Sequence, residues 1–89
     1  MVIAADVPEG ISMETLSIMC ATLLGAASTA NSELRVGTPL NVIVESEDAR
    51  MIVIGAGRKA LIVSVIPITA DTSVAMKKIG ELAETIRLI

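Results

Sequence analysis

The spacing of apolar residues divides the chain into six segments. Val2-Ile-Ala-Ala5 is a short apolar run, and Asp6-Val-Pro-Glu-Gly10 closes it with turn residues, which predicts a short strand and a loop. From Met13 to about Ser32 the period becomes helical, with Ser12 placed to cap the N-terminus and Glu14 in the first turn to complement the helix dipole. Gly37-Thr-Pro39 breaks the chain. From Leu40 to Ser46 the pattern alternates, with Leu40, Val42 and Val44 on one side and Asn41, Ile43 and Glu45 on the other. Glu47-Asp-Ala49 is a turn, and two runs then follow, 50–54 and 60–66, each apolar on both faces as central strands between covering layers are. Pro67 stops the second. Asp71 caps a last helix, with Ala75, Ile79, Leu82, Ala83, Ile86 and Ile89 on one face and Lys77, Lys78, Glu81, Glu84 and Arg87 on the other.

The two helices differ in kind. The closing one has a dry face and a charged face. The first has an apolar arc of Met13, Leu16, Met19, Cys20, Leu23, Leu24, Ala27 and Ala30, which is its expected core face. Its opposite arc holds Ser17, Ile18, Ala21, Thr22, Gly25, Ser28 and Thr29, with Glu14 as the one charge. A solvated helix face normally carries Lys and Glu; small uncharged residues instead admit a second helix at close range. This helix is therefore expected to be covered on both sides, the second time by another chain. Thr15 to Ser32 is free of charge and approaches the length of a membrane span, with small residues four apart at Ala21/Gly25/Thr29. Its many hydroxyl and amide side chains and the lack of basic flanks weigh against insertion, so no membrane insertion is expected.

The stretch Met51-Ile-Val-Ile-Gly-Ala-Gly-Arg-Lys-Ala60 matches the glycine pattern of dinucleotide-binding folds. Such a site needs a helix straight after the glycines, so that its N-terminus meets the pyrophosphate. Here β-branched residues ending at Pro67 follow, which make a strand, and no acidic residue ends a second parallel strand some 20 positions on. Gly55 and Gly57 are read instead as hairpin-turn residues, supplying positive φ. No cofactor is expected.

Composition narrows the chemistry further. The chain has 89 residues, enough for a single domain over 1–89, with 53% hydrophobic residues but no Phe, Tyr or Trp. Its core is built from aliphatic side chains, and no ring is present to stack a nucleobase. The net charge of −3 argues against a nucleic-acid partner. Charge is uneven: residues 1–49 hold seven acids against Arg35, and residues 50–89 hold six bases against three acids. With no histidine and a single cysteine, Cys–His and Ser–His–Asp catalysis are excluded, and neither a disulfide within the chain nor a zinc site can form. Cys20 reads as a small buried apolar residue. The N-terminal ten residues lack a signal-peptide pattern, so a reduced, cytoplasmic setting is expected.

The order strand, helix, three-strand meander, helix, carried by 2–28, the hairpin 42–66 and the closing helix from Asp71, resembles the Roadblock family, named for a dynein light chain and including LAMTOR and MglB proteins. The resemblance implies an α+β fold with an antiparallel sheet sandwiched between helices, Roadblock/profilin-like. The family's usual first helix and first strand would precede Val2. Either Val2–Ala5 then moves beside 60–66, or a partner fills that place, and the sheet face under the closing helix is left partly uncovered. The resemblance also implies dimerisation, with two strands from Leu40 to Ser46 joining two sheets and two helices from Met13 to Asn31 packing together. The expected dimer interface is Ser17, Ile18, Ala21, Thr22, Gly25 and Ser28 on the helix, with Leu40, Val42 and Val44 on the strand. Family members are non-enzymatic platforms that bind and regulate Ras-like small GTPases, or scaffold subunits of larger assemblies, so no catalytic residue is expected. Arg50, Arg58 and Lys59, on turns, are the candidate partner surface, although ordinary hairpin roles are the simpler reading. An apolar pocket on the uncovered sheet face for a small molecule is the remaining alternative.

Overall fold

The computed structural model describes residues 2–5, 9–56 and 60–87. Six elements follow one another: β1 (Val2–Ala5), α1 (Met13–Leu34), β2 (Val42–Glu45), β3 (Ala49–Gly55), β4 (Leu61–Pro67) and α2 (Thr72–Arg87). The protein is α+β, and β2, β3 and β4 form the expected antiparallel meander, with Val53 opposite both Val42 and Val63. The expectation of a wholly antiparallel sheet is corrected at one strand: β1 pairs with β4 in parallel, Val2 opposite Leu61, so the sheet is mixed, in the order β1-β4-β3-β2. The connection explains the direction. The long helix α1 carries the chain back along the sheet, so the strands before and after it run the same way. Since β2 runs parallel to β4, β1 must do so too. Of the two arrangements expected for 2–5, the chain adopts the place beside β4.

Period-2 alternation in the central strands builds two cores on opposite faces of the sheet. Ile52, Ile54, Ile62 and Ile66 face α2, where Ile79 and Ala83 complete a buried cluster with Met76 and Ile86 at its margin. Val53 and Val63 face α1 and surround Cys20, with Leu16, Met51 and Leu61 partly buried around them. Burying an Ile or Val side chain contributes about 1.5–3 kcal/mol, so β3 and β4, dry on both faces, anchor the fold.

The helix ends follow their sequence signals. Ser12 Oγ accepts the Thr15 N–H at 3.3 Å, and Asp71 Oδ1 accepts the Ser73 N–H at 2.9 Å. At the far end of α1, Arg35 adopts the left-handed conformation, φ 56°, where the amides of Arg35 and Val36 return to the carbonyls of Ser32 and Asn31. This is a Schellman closure with arginine where glycine is the usual choice. Gly55 departs from expectation. It is the last residue of β3, opposite Leu61, and does not have positive φ; the turn begins at Ala56, whose N–H donates to Ala60 O at 2.9 Å. Gly57 lies outside the described residues.

Candidate protein-interaction surface

α1 touches its own sheet along a narrow line. Leu16, Cys20, Leu23, Leu24 and Ala27 are buried or half-buried. Met13, Met19 and Ala30, expected in the core arc, are exposed, so the buried stripe is narrower than the spacing predicts and Met19 belongs to the outer surface. Of the residues expected at an interface, Ile18, Ala21, Thr22, Gly25 and Ser28 are exposed and Ser17 is half-buried. A Cβ built on Gly25 meets nothing within 4 Å.

Three of the hydroxyls on this outer face are already satisfied within the helix. The hydroxyls of Ser17, Thr22 and Thr29 donate to the carbonyls four residues back, at 2.6, 2.8 and 3.1 Å. Each therefore presents mainly carbon to the outside, and a neighbour can cover it without stranding a donor. With Ile18 at 61% and Met19 at 59% exposure beside these small residues, the face beyond Glu14 is apolar, uncharged and ready to be dehydrated. Among the described residues, α1 is also the one helix long and apolar enough by length and composition to cross a membrane. Its inner line closes the core around Cys20.

β2 runs along the edge of the sheet next to this helix. It pairs with β3 alone among the described strands, leaving one row of backbone groups open. Val42 and Val44 are half-buried. Leu40 precedes the strand and is 85% exposed; with Leu34 and Val36 it extends the apolar surface from the end of α1.

Arg50, a candidate for partner contact, serves the fold itself. It sits at the start of β3, and its Nη1 donates to the carbonyl of Ile68 at 3.1 Å and to Thr72 Oγ1 at 3.3 Å, while Nε donates to Glu45 Oε2 at 3.3 Å. One guanidinium thus ties β2, β3, the β4–α2 turn and the first residue of α2 together. Arg58 and Lys59 lie outside the described residues.

On the other sheet face, a groove of about 490 Å³ runs between β4 and one flank of α2. Ser64, Ile66, Val74, Lys78 and Leu82 are among its lining. The spacing predicts Leu82 in the core, but it is 38% exposed at the groove. The sequence signal for this hollow is the single hydroxyl inside the apolar run 61–66. Among the described residues, no cluster of acidic, His or Cys side chains is arranged to hold a metal ion.

In comparison with known proteins, no family model and no curated protein matches this chain.

Proposed function

We propose that this protein is a non-enzymatic, Roadblock-like platform that forms a homodimer through α1 and β2 and, as a dimer, binds a Ras-like small GTPase in the cytoplasm without membrane insertion. The observation that carries the dimer is the outer face of α1 from Ile18 to Thr29: exposed, uncharged, with the hydroxyls of Thr22 and Thr29 bonded within the helix and no side chain at Gly25. Two such faces packed together would bury Ile18 and Met19 of both chains, and the open edge of β2 lies beside them to pair with its copy. Regulation would follow from surface complementarity to the GTPase switch segments, which biases one of their arrangements.

A second reading is a scaffold subunit that tethers other proteins without changing nucleotide turnover. The engagement of Arg50 favours it. An arginine supplied in trans accelerates hydrolysis only when its guanidinium is free to reach the phosphates, and this one is held by Ile68, Thr72 and Glu45.

The test takes the purified chain, a small GTPase encoded beside it, and their mixture. Dimeric protein that binds the GTPase and alters hydrolysis or exchange supports the first reading. Binding at unchanged rates supports the second. A monomer that remains monomeric at high concentration, with no GTPase binding, overturns both. Ala21→Glu places a charge on the outer face of α1 and is expected to abolish dimer and complex together.

A further inference from the structure

The groove beside α2 follows from the widths of the layers. A helix with its side chains is about 10 Å across and strands lie about 4.8 Å apart, so one helix covers about two strands. α2 covers β3 and β4, and among the described residues nothing fills the space beyond its Val74–Lys78–Leu82 ridge. At about 490 Å³ the groove falls in the range of small-molecule sites. Ile66, Ala75 and Ile79 give it an apolar lining, and the chain has no aromatic ring to stack a planar ligand there.

Two polar groups mark it as more than a gap. Ser64 is 2% exposed, and its hydroxyl has no hydrogen-bond partner among the described residues. No fully sealed side-chain oxygen or nitrogen lacks a partner among those residues, so this hydroxyl opens into the groove it lines. Lys78 stands on the same groove with no ion pair among the described residues. The two come to a similar height. Ser64 lies three strand residues before Pro67 and Lys78 seven helix residues after Asp71, each about 10 Å from the connecting turn. Asp71, at the turn end of the groove, spends its carboxylate on the Ser73 N–H and repels a second anion there.

We infer that the groove between β4 and α2 binds an aliphatic carboxylate of about six to ten carbons. The carboxylate lies between the Lys78 ammonium and the Ser64 hydroxyl, which donates to it, and the chain runs over Ile66, Ala75 and Val74 toward Ala70. The site is on the sheet face opposite α1, so it stands or falls independently of the dimer.

The test is a titration of the full chain, labelled with ¹⁵N, with hexanoate, octanoate and 1-octanol. Saturable shifts are expected at the amides of Ser64, Ile66, Lys78 and Ile79, with binding about fourfold tighter per added methylene. Octanol is expected to bind at least tenfold more weakly than octanoate. Ser64→Ala and Lys78→Glu should each weaken octanoate at least tenfold while the thermal transition stays in place. Shifts that fail to saturate, shifts centred on Ile18 and Met19 of α1, or equal binding of octanol and octanoate would each overturn the assignment.

Discussion

At the scale of single residues, two positions stand out against their surroundings. Arg35 closes α1 in a conformation that costs an L-residue about 1 kcal/mol or more, and its side chain is exposed. Arg35→Gly removes that cost while leaving the two returning amides in place. It is expected to raise stability by about 1 kcal/mol in urea denaturation; an unchanged midpoint would mean that the guanidinium contributes something the backbone does not reveal. Cys20 lies on the inner side of α1, with its Sγ 4.0 Å from Met51 Sδ. Burial pushes the thiol above its ordinary value of 9.0. The folded state thus holds the proton more tightly than the unfolded chain. The resulting stabilisation is present in full below pH 9 and is lost as pH rises through the raised folded value. Native protein at pH 8 is expected to resist a thiol reagent until denaturant is added, and its stability should fall as pH rises above 9. Cys20→Ala should flatten that fall, and a fall of equal size in the variant would place its origin elsewhere.

At the scale of elements, six segments and both N-caps were legible because periodicity and capping are local. The central strands lie within a residue of where their apolar runs place them, and α1 ends two residues past the expected Ser32. What was not legible is what depends on neighbours. A four-residue apolar run carries no record of its partner, so the parallel pairing of β1 emerges only once the helical crossover fixes its direction. A helical wheel gives an arc but not how much of it a narrow sheet can cover, which is why Met19 is exposed. Arg50 reads as a turn residue because its main acceptor, the Ile68 carbonyl, belongs to a turn 18 positions away. The strength of that tie can be measured. Glu45 is 66% exposed, so its ion pair with Arg50 contributes little. Glu45→Gln is expected to cost under about 0.5 kcal/mol, whereas Arg50→Ala, which also leaves Ile68 O without its donor, should cost about 2 kcal/mol. Equal costs would show that the ion pair, rather than the staple from β3 to the start of α2, is what matters.

At the scale of the whole molecule, the question is whether one chain is the complete unit. A single sheet with one helix on each face leaves Ile18, Met19, Leu34, Val36 and Leu40 exposed, a large apolar surface for so small a domain. Two glycines give a matched pair to decide it. Gly25 on α1 and Gly80 on α2 are both exposed, and in both cases a new Cβ meets nothing within 4 Å. In an isolated chain, Gly25→Leu and Gly80→Leu should each add roughly 0.8 kcal/mol through helix propensity, with no clash at the new Cβ. If the face around Gly25 is where two helices meet at close range, the pair separates. Gly80→Leu raises the melting temperature and keeps the dimer, whereas Gly25→Leu forces the helices apart and gives a monomer or aggregate. Sedimentation velocity and thermal melts on the two variants read both quantities at once. The asymmetry is the signature of a partner, because among the described residues a new Cβ is equally unobstructed at the two sites. Two equally stabilised variants of unchanged size would leave α1 outside any interface, and the dimeric platform with it.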